Sequence, residues 1–140
     1  MNKLNERFQA LLVEKNFPMK ISKTEESYIY QGKLQVESGR LIEFAISLSK
    51  NDEYPVGQII FNRIAVVPQN ADRLVWLECL NKLNSGMGLY YYFVLGEDDR
   101  VFARYVAEVD QDVEQFFGVL GKGSRIIRNA LGIFSQLERL

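Results

Sequence analysis

Few side chains in this sequence have the type and spacing to do chemistry. Histidine is absent and there is one cysteine, Cys79. That removes the usual general base, the usual zinc ligand and both the Ser-His and Cys-His nucleophile arrangements. Cys79 falls on the apolar arc of a predicted helix and reads as a small buried hydrophobe, because a reactive thiol needs exposure and nearby positive charge. The densest carboxylate cluster, Glu97-Asp98-Asp99, lacks the alternating ligands and central glycine of a calcium loop and reads as a solvated hairpin turn. The stretch Gly118 to Ser124, GVLGKGS, superficially suggests a phosphate loop. Its lysine precedes the last glycine, however, and it follows a predicted helix rather than a strand, so the Walker mechanism does not fit. What survives is an anion site: Ser124 and the amides after it would open a helix, with Lys122, Arg125 and Arg128 nearby. No catalytic residue, metal site or cofactor is implied, and the chain reads as a non-enzyme.

Chemistry of a different kind lies in the aromatic residues around 90 to 105. In the stretch Asn70 to Val109, NADRLVWLECLNKLNSGMGLYYYFVLGEDDRVFARYVAEV, an apolar helix is followed by the strongest hairpin signal in the chain. At about 100° per residue, Val75, Trp76, Leu77, Cys79, Leu80 and Leu83 cover an arc of roughly 200°, wide for a helix resting on one surface. In the hairpin, Leu89, Tyr91, Phe93 and Leu95 share one face, and Val101, Ala103, Tyr105 and Ala107 share the apolar face of the return strand. These two faces coincide only if the connecting loop is odd, such as the five residues Gly96 to Arg100 pairing Leu95 with Val101. A four-residue loop puts Arg104 opposite Tyr91 instead. The odd register leaves Tyr90, Tyr92, Val94, Phe102, Arg104, Val106 and Glu108 on the second face, which is too aromatic for ordinary exposure. Either helices roof it, or it is offered to a partner, since interface centres favour Tyr, Phe, Trp and Arg. Trp76, Tyr90, Tyr92, Phe102 and Arg104 are the candidate interface residues. A base-stacking platform for nucleic acid is disfavoured, because such platforms need a basic groove and Glu108, Glu97 and Asp98 dilute the charge.

The elements that must position these residues follow from periodicity. Leu4, Phe8, Leu11, Leu12 and Lys15 predict an amphipathic helix over residues 3 to 16 with Asn2 as N-cap, stopped by Phe17-Pro18. Met19 to Lys23 reads as a short strand. From Tyr28 the pattern alternates, with Gly32 as a candidate bulge or bend. After the turn signal Ser38-Gly39, Ile42, Phe44, Ile46 and Leu48 complete a hairpin. Val56 to Val67 is a third meander strand with two largely apolar faces, which predicts a central strand covered on both sides. Asn70 is the expected N-cap of the next helix and Ser85-Gly86 its glycine-capped end. Asp110 or Asp112 can cap a last helix. Gly121-Lys122-Gly123 is expected to break it, and Ser124 to restart it through Leu140.

At 140 residues the chain fits a single domain spanning 1 to 140. With 17 basic and 18 acidic residues, a net charge of −1, no overall field draws it to nucleic acid or anionic lipid. No run of 18 apolar residues and no signal-peptide pattern is found, which makes cytoplasmic the default location. The element order predicts an α+β domain with an antiparallel sheet of about five strands: helix, three or four strands, helix, two-strand hairpin, helix.

The segment running from a helix through LNKLN, a small-residue break, an aromatic strand, an acidic turn, a basic-apolar strand and an Asp-started last helix resembles the bacterial YbjN-type family. The same element order is similar to the type III secretion chaperones. The pattern covers roughly residues 74 to 131, and the element order covers the whole chain. The resemblance implies a small, non-catalytic cytoplasmic homodimer that holds or regulates a protein or peptide segment. It transfers no functional residues, and a net charge of −1 departs from the acidic character of secretion chaperones. A rival from another class is a small-molecule binder or minor enzyme, with a pocket for an anionic metabolite between the sheet and the C-terminal helix.

Overall fold

The computed structural model describes every residue except Ser38 and Gln111. Its order is helix α1 (Lys3–Glu14), strands β1 (Lys20–Lys23), β2 (Ser27–Glu37), β3 (Arg40–Ser49) and β4 (Val56–Val66), helix α2 (Arg73–Lys82), strands β5 (Tyr92–Leu95) and β6 (Arg100–Glu108), and helix α3 (Val113–Glu138). The fold is α+β, with six strands in one antiparallel sheet where the sequence suggests about five. The strands lie in the order β1-β2-β3-β4-β6-β5. The first four form a meander, and the late hairpin docks β6 against β4.

All three helices pack on one side of the sheet. Phe8 of α1 meets Tyr30 of β2 and Phe116 of α3 edge-on, at 4.9 and 6.1 Å between ring centroids. Trp76 of α2 stacks on Phe134 of α3 at 5.7 Å, and Phe93 of β5 meets the same ring at 6.2 Å. Between these helices and the sheet lies the core: Tyr30, Phe44, Ile46, Leu48, Ile59, Phe61, Val101 and Ala103 from the strands, with Leu120, Ile127 and Ala130 from α3. Strand β4 is central, as its composition predicts, but it is covered on one side only. Ile59 and Phe61 point into the core, while Ile60 is half-buried and Asn62 exposed. A bulge between Phe61 and Ala65, with Arg63 at φ +53°, then turns both Ile64 and Ala65 inward.

The helix ends differ from the sequence expectations in instructive ways. Asp72, not Asn70, caps α2, its carboxylate accepting the Leu74 N–H at 3.0 Å. Asn2 occupies the N-cap position of α1 but makes no side-chain bond to the helix amides. Asp52, far along the chain, accepts the Lys3 and Leu4 N–H groups at 3.0 and 3.2 Å instead. Gly86 does not close α2 as a left-handed cap: the helix widens into a π-type turn, Leu83–Met87, closed by the Gly88 N–H donating to the Leu83 carbonyl at 2.8 Å. Asp112 caps α3, accepting from the Gln115 N–H at 3.0 Å. Gly32 is not a bulge. It pairs regularly with Phe44, whose ring fills the space a side chain would need, and the irregularity lies between Gln35 and Glu37. Of the Ser38-Gly39 turn signal, Ser38 lies outside the described residues and Gly39 sits at φ +76°.

The largest departure is in α3, which runs unbroken through Gly121-Lys122-Gly123. Gly123 is needed for proximity. A Cβ there would come within 2.8 Å of the Phe61 ring and of the Tyr91 hydroxyl, so its absence lets α3 lie directly on the sheet. Tyr91 then donates its hydroxyl to the Val119 carbonyl at 2.8 Å, and burial pushes its ionisation far above the usual phenol range.

Candidate interaction face

Because every helix sits on one side, alternate residues of each strand form a sheet face that no helix covers among the described residues. Its geometry follows from the register. Gln31, Ala45, Ile60, Arg104 and Tyr92 lie side by side across β2, β3, β4, β6 and β5, and Ile29, Ser47, Gln58 and Val106 form the neighbouring row. Val94 opposes Phe102 at one end. Val56 and Glu108 pair at the other. The hairpin adopts the odd, five-residue register: Leu95 pairs with Val101, and the Gly96 N–H donates to the Arg100 carbonyl at 2.9 Å.

The β5–β6 end of this face exposes apolar side chains, whereas its β2–β3 side carries the exposed Gln31, Lys33 and Glu43. Tyr92 is 64% exposed, Val106 46%, Val56 41% and Val94 37%, while Ile29, Ala45, Ile60 and Phe102 are half-buried. Arg104 is exposed and anchored, its Nε donating to the Gln58 carboxamide at 2.8 Å. The β5–β6 end of the face therefore offers a rigid aromatic and β-branched surface on which the Arg104 guanidinium is oriented.

Of the five candidate interface residues, the fold brings three together: Tyr92, Phe102 and Arg104. Trp76 is excluded from any surface, being 2% exposed and stacked on Phe134. The wide arc of α2 is only half used: Trp76, Leu80 and Leu83 are buried and Cys79 is half-buried, whereas Val75 and Leu77 are exposed. Burial raises the Cys79 thiol above its ordinary range. Tyr90 also leaves the face. It precedes β5, next to Leu89 at φ +51°, and its ring lies edge-on to Tyr105 at 6.0 Å under the Lys122 ammonium at 5.2 Å, on the helix side. The sequence places Val94 and Val106 on this face without marking them as interface, and it does not reveal Ile60, because β4 is expected to be covered on both sides, or Ala45, because nothing local says that β3 lies beside β4 here.

The anion site loses its basis. Ser124 lies within α3 and donates to the Gly121 carbonyl at 3.1 Å, so no helix N-terminus exists there. Lys122 donates to the Tyr90 hydroxyl at 3.4 Å, and Arg125 and Arg128 are exposed on the same continuous helix. The acidic hairpin turn is tied by ion pairs from Asp98 to Arg100, at 3.6 Å, and from Asp99 to Arg73.

No protein-family model and no curated protein matches the chain. The YbjN-type and secretion-chaperone resemblance thus rests on residue pattern and element order.

Proposed function

We propose that this chain is a non-catalytic protein-interaction module of chaperone-like or regulatory type, which pairs with a second copy through its open sheet face and holds a segment of another protein. The observation that carries this reading is the one-sided sheet. Tyr92, Val94, Phe102 and Val106 are held side by side on β5 and β6 with no helix over them among the described residues, and contiguous apolar surface of this kind marks interaction sites. Six strands at about 4.8 Å spacing give a face roughly 24 Å across, suited to an interface of standard size, about 800 Å² per partner. Residues of both signs on it, Arg104 within the face and Glu108 at its end, favour a self-complementary pairing about a two-fold axis.

The test is mass by light scattering at micromolar concentration. The wild type is expected to be a dimer, and Tyr92→Glu to shift it to monomer with an unchanged circular dichroism spectrum. A monomeric wild type refutes the pairing. The rival reading, an anionic-metabolite pocket between sheet and C-terminal helix, draws no support from the close packing of α3 at Gly123.

A further inference from the structure

The two edges of the sheet are protected in different ways. An edge strand presents unpaired N–H and C=O groups that can recruit another strand, and proteins blunt it with charge, proline or a cover. Strand β1, KISK, carries Lys20 and Lys23 with every side chain exposed. Strand β5, YFVL, has no charge and no proline, and its β-branched and aromatic residues favour extended pairing. At Phe93 its outward backbone groups are nevertheless occupied. The Asn84 carboxamide accepts the Phe93 N–H at 2.7 Å and donates to the Phe93 carbonyl at 3.0 Å, reproducing the two bonds that a neighbouring strand would make. One residue pair earlier, the Tyr91 N–H donates to the Gly88 carbonyl at 2.8 Å. The π-type turn Leu83–Met87 is what brings Asn84 to this position, and Gly88 completes it at a point where a Cβ would stand 2.4 Å from the Tyr91 carbonyl oxygen.

We infer that Asn84 is an edge lock: its side chain substitutes for a strand along β5 and keeps that edge from pairing antiparallel with the β5 edge of a second copy. The lock concerns the edge and is independent of pairing through the open face. Because the bonds come from one side chain on a single widened turn, the edge can be unlocked without disturbing the core, in which Phe93 stays packed against Phe134.

The experiment compares Asn84→Ala, Asn84→Asp, Val94→Lys and the double variant Asn84→Ala/Val94→Lys with wild type. Asn84→Ala is expected to keep the wild-type circular dichroism spectrum, to speed hydrogen exchange of the Phe93 amide about tenfold in dilute solution, and to gain mass with concentration beyond the wild-type species while acquiring thioflavin fluorescence. Asn84→Asp retains the acceptor but loses the donor, so its exchange rate is expected to fall between the two. A lysine at Val94 blocks edge pairing, so the double variant is expected to return to the mass of Val94→Lys alone, which serves as its reference. Unchanged Phe93 exchange together with unchanged mass in Asn84→Ala overturns the inference, as does growth that Val94→Lys fails to suppress. If Asn84→Ala does not fold, Asn84→Asp decides the matter by the same readouts. The wild-type mass reports separately on pairing through the face.

Discussion

Two glycines two residues apart in α3 should respond to the same substitution with opposite sign. At Gly121 a Cβ meets nothing within 4 Å and the residue is exposed. Gly121→Ala therefore adds only helix propensity and removes unfolded-chain freedom, a stabilisation of about 0.5–1 kcal/mol. For a chain of this length that raises Tm by roughly 2–4 °C. At Gly123 the same propensity gain is opposed by the contacts at 2.8 Å with Phe61 and the Tyr91 hydroxyl. Overpacking of this kind costs about 1–3 kcal/mol, and displacing Tyr91 from the Val119 carbonyl adds on the order of 1 kcal/mol. Gly123→Ala should therefore destabilise by about 1–3 kcal/mol net. Urea unfolding monitored by circular dichroism, read as the midpoint at constant slope, measures both. If Gly121→Ala destabilises, the helix is broken there. If Gly123→Ala stabilises, α3 does not lie on Phe61 as described.

Two further outcomes follow from the polar contacts of α1. Tyr30→Phe keeps the ring against Phe8 but removes the hydroxyl that donates to the buried Asn5 side chain at 2.7 Å. The orphaned oxygen should lower stability by about 1–3 kcal/mol, measured by the same urea titration, and Tyr30→Leu should cost more because the ring contact is also lost. Asp52, held below the usual carboxylate range first by the Lys3 and then by the Leu4 amide, contributes stability that is present above its unfolded value of 3.8 and lost as pH falls through its lower folded value. Acid unfolding curves of wild type and Asp52→Asn should therefore converge below that range, and curves that stay parallel to pH 2 would refute the cap.

What the sequence made legible was local, and what it hid was non-local. The odd hairpin register could be worked out because the apolar faces of two adjacent strands must coincide, a constraint contained in residues 89 to 107. The alternation of β2 and β3 and the helical spacing of α1 were readable for the same reason. The neighbour of β4 was not, since nothing in Val56 to Val67 announces that β6 will pair with it, and an apolar strand with one open face has the composition of a doubly covered one. The glycines of α3 misled because glycine signals a helix break and close helix-to-sheet approach equally, and only the position of Phe61 distinguishes them. The candidate face was thus half recovered. Tyr92, Phe102 and Arg104 came from hairpin parity alone, whereas removing Trp76 and Tyr90 required knowing where α3 lies.

The docking of β6 on β4 also makes the contact that closes the sheet a long-range one. Strands β1 to β4 are joined by short connections and can form as successive hairpins on the microsecond scale. The register that closes the sheet pairs Val66 with Arg100 and Phe61 with Ala103, so α2 and β5 must be looped out before the first of these contacts forms. Loop closure of that length is entropically costly before it is rewarded. A partly folded chain would therefore hold the meander with the inner edge of β4 still open, and the arrival of β6 both fills that edge and lays down half of the exposed apolar face.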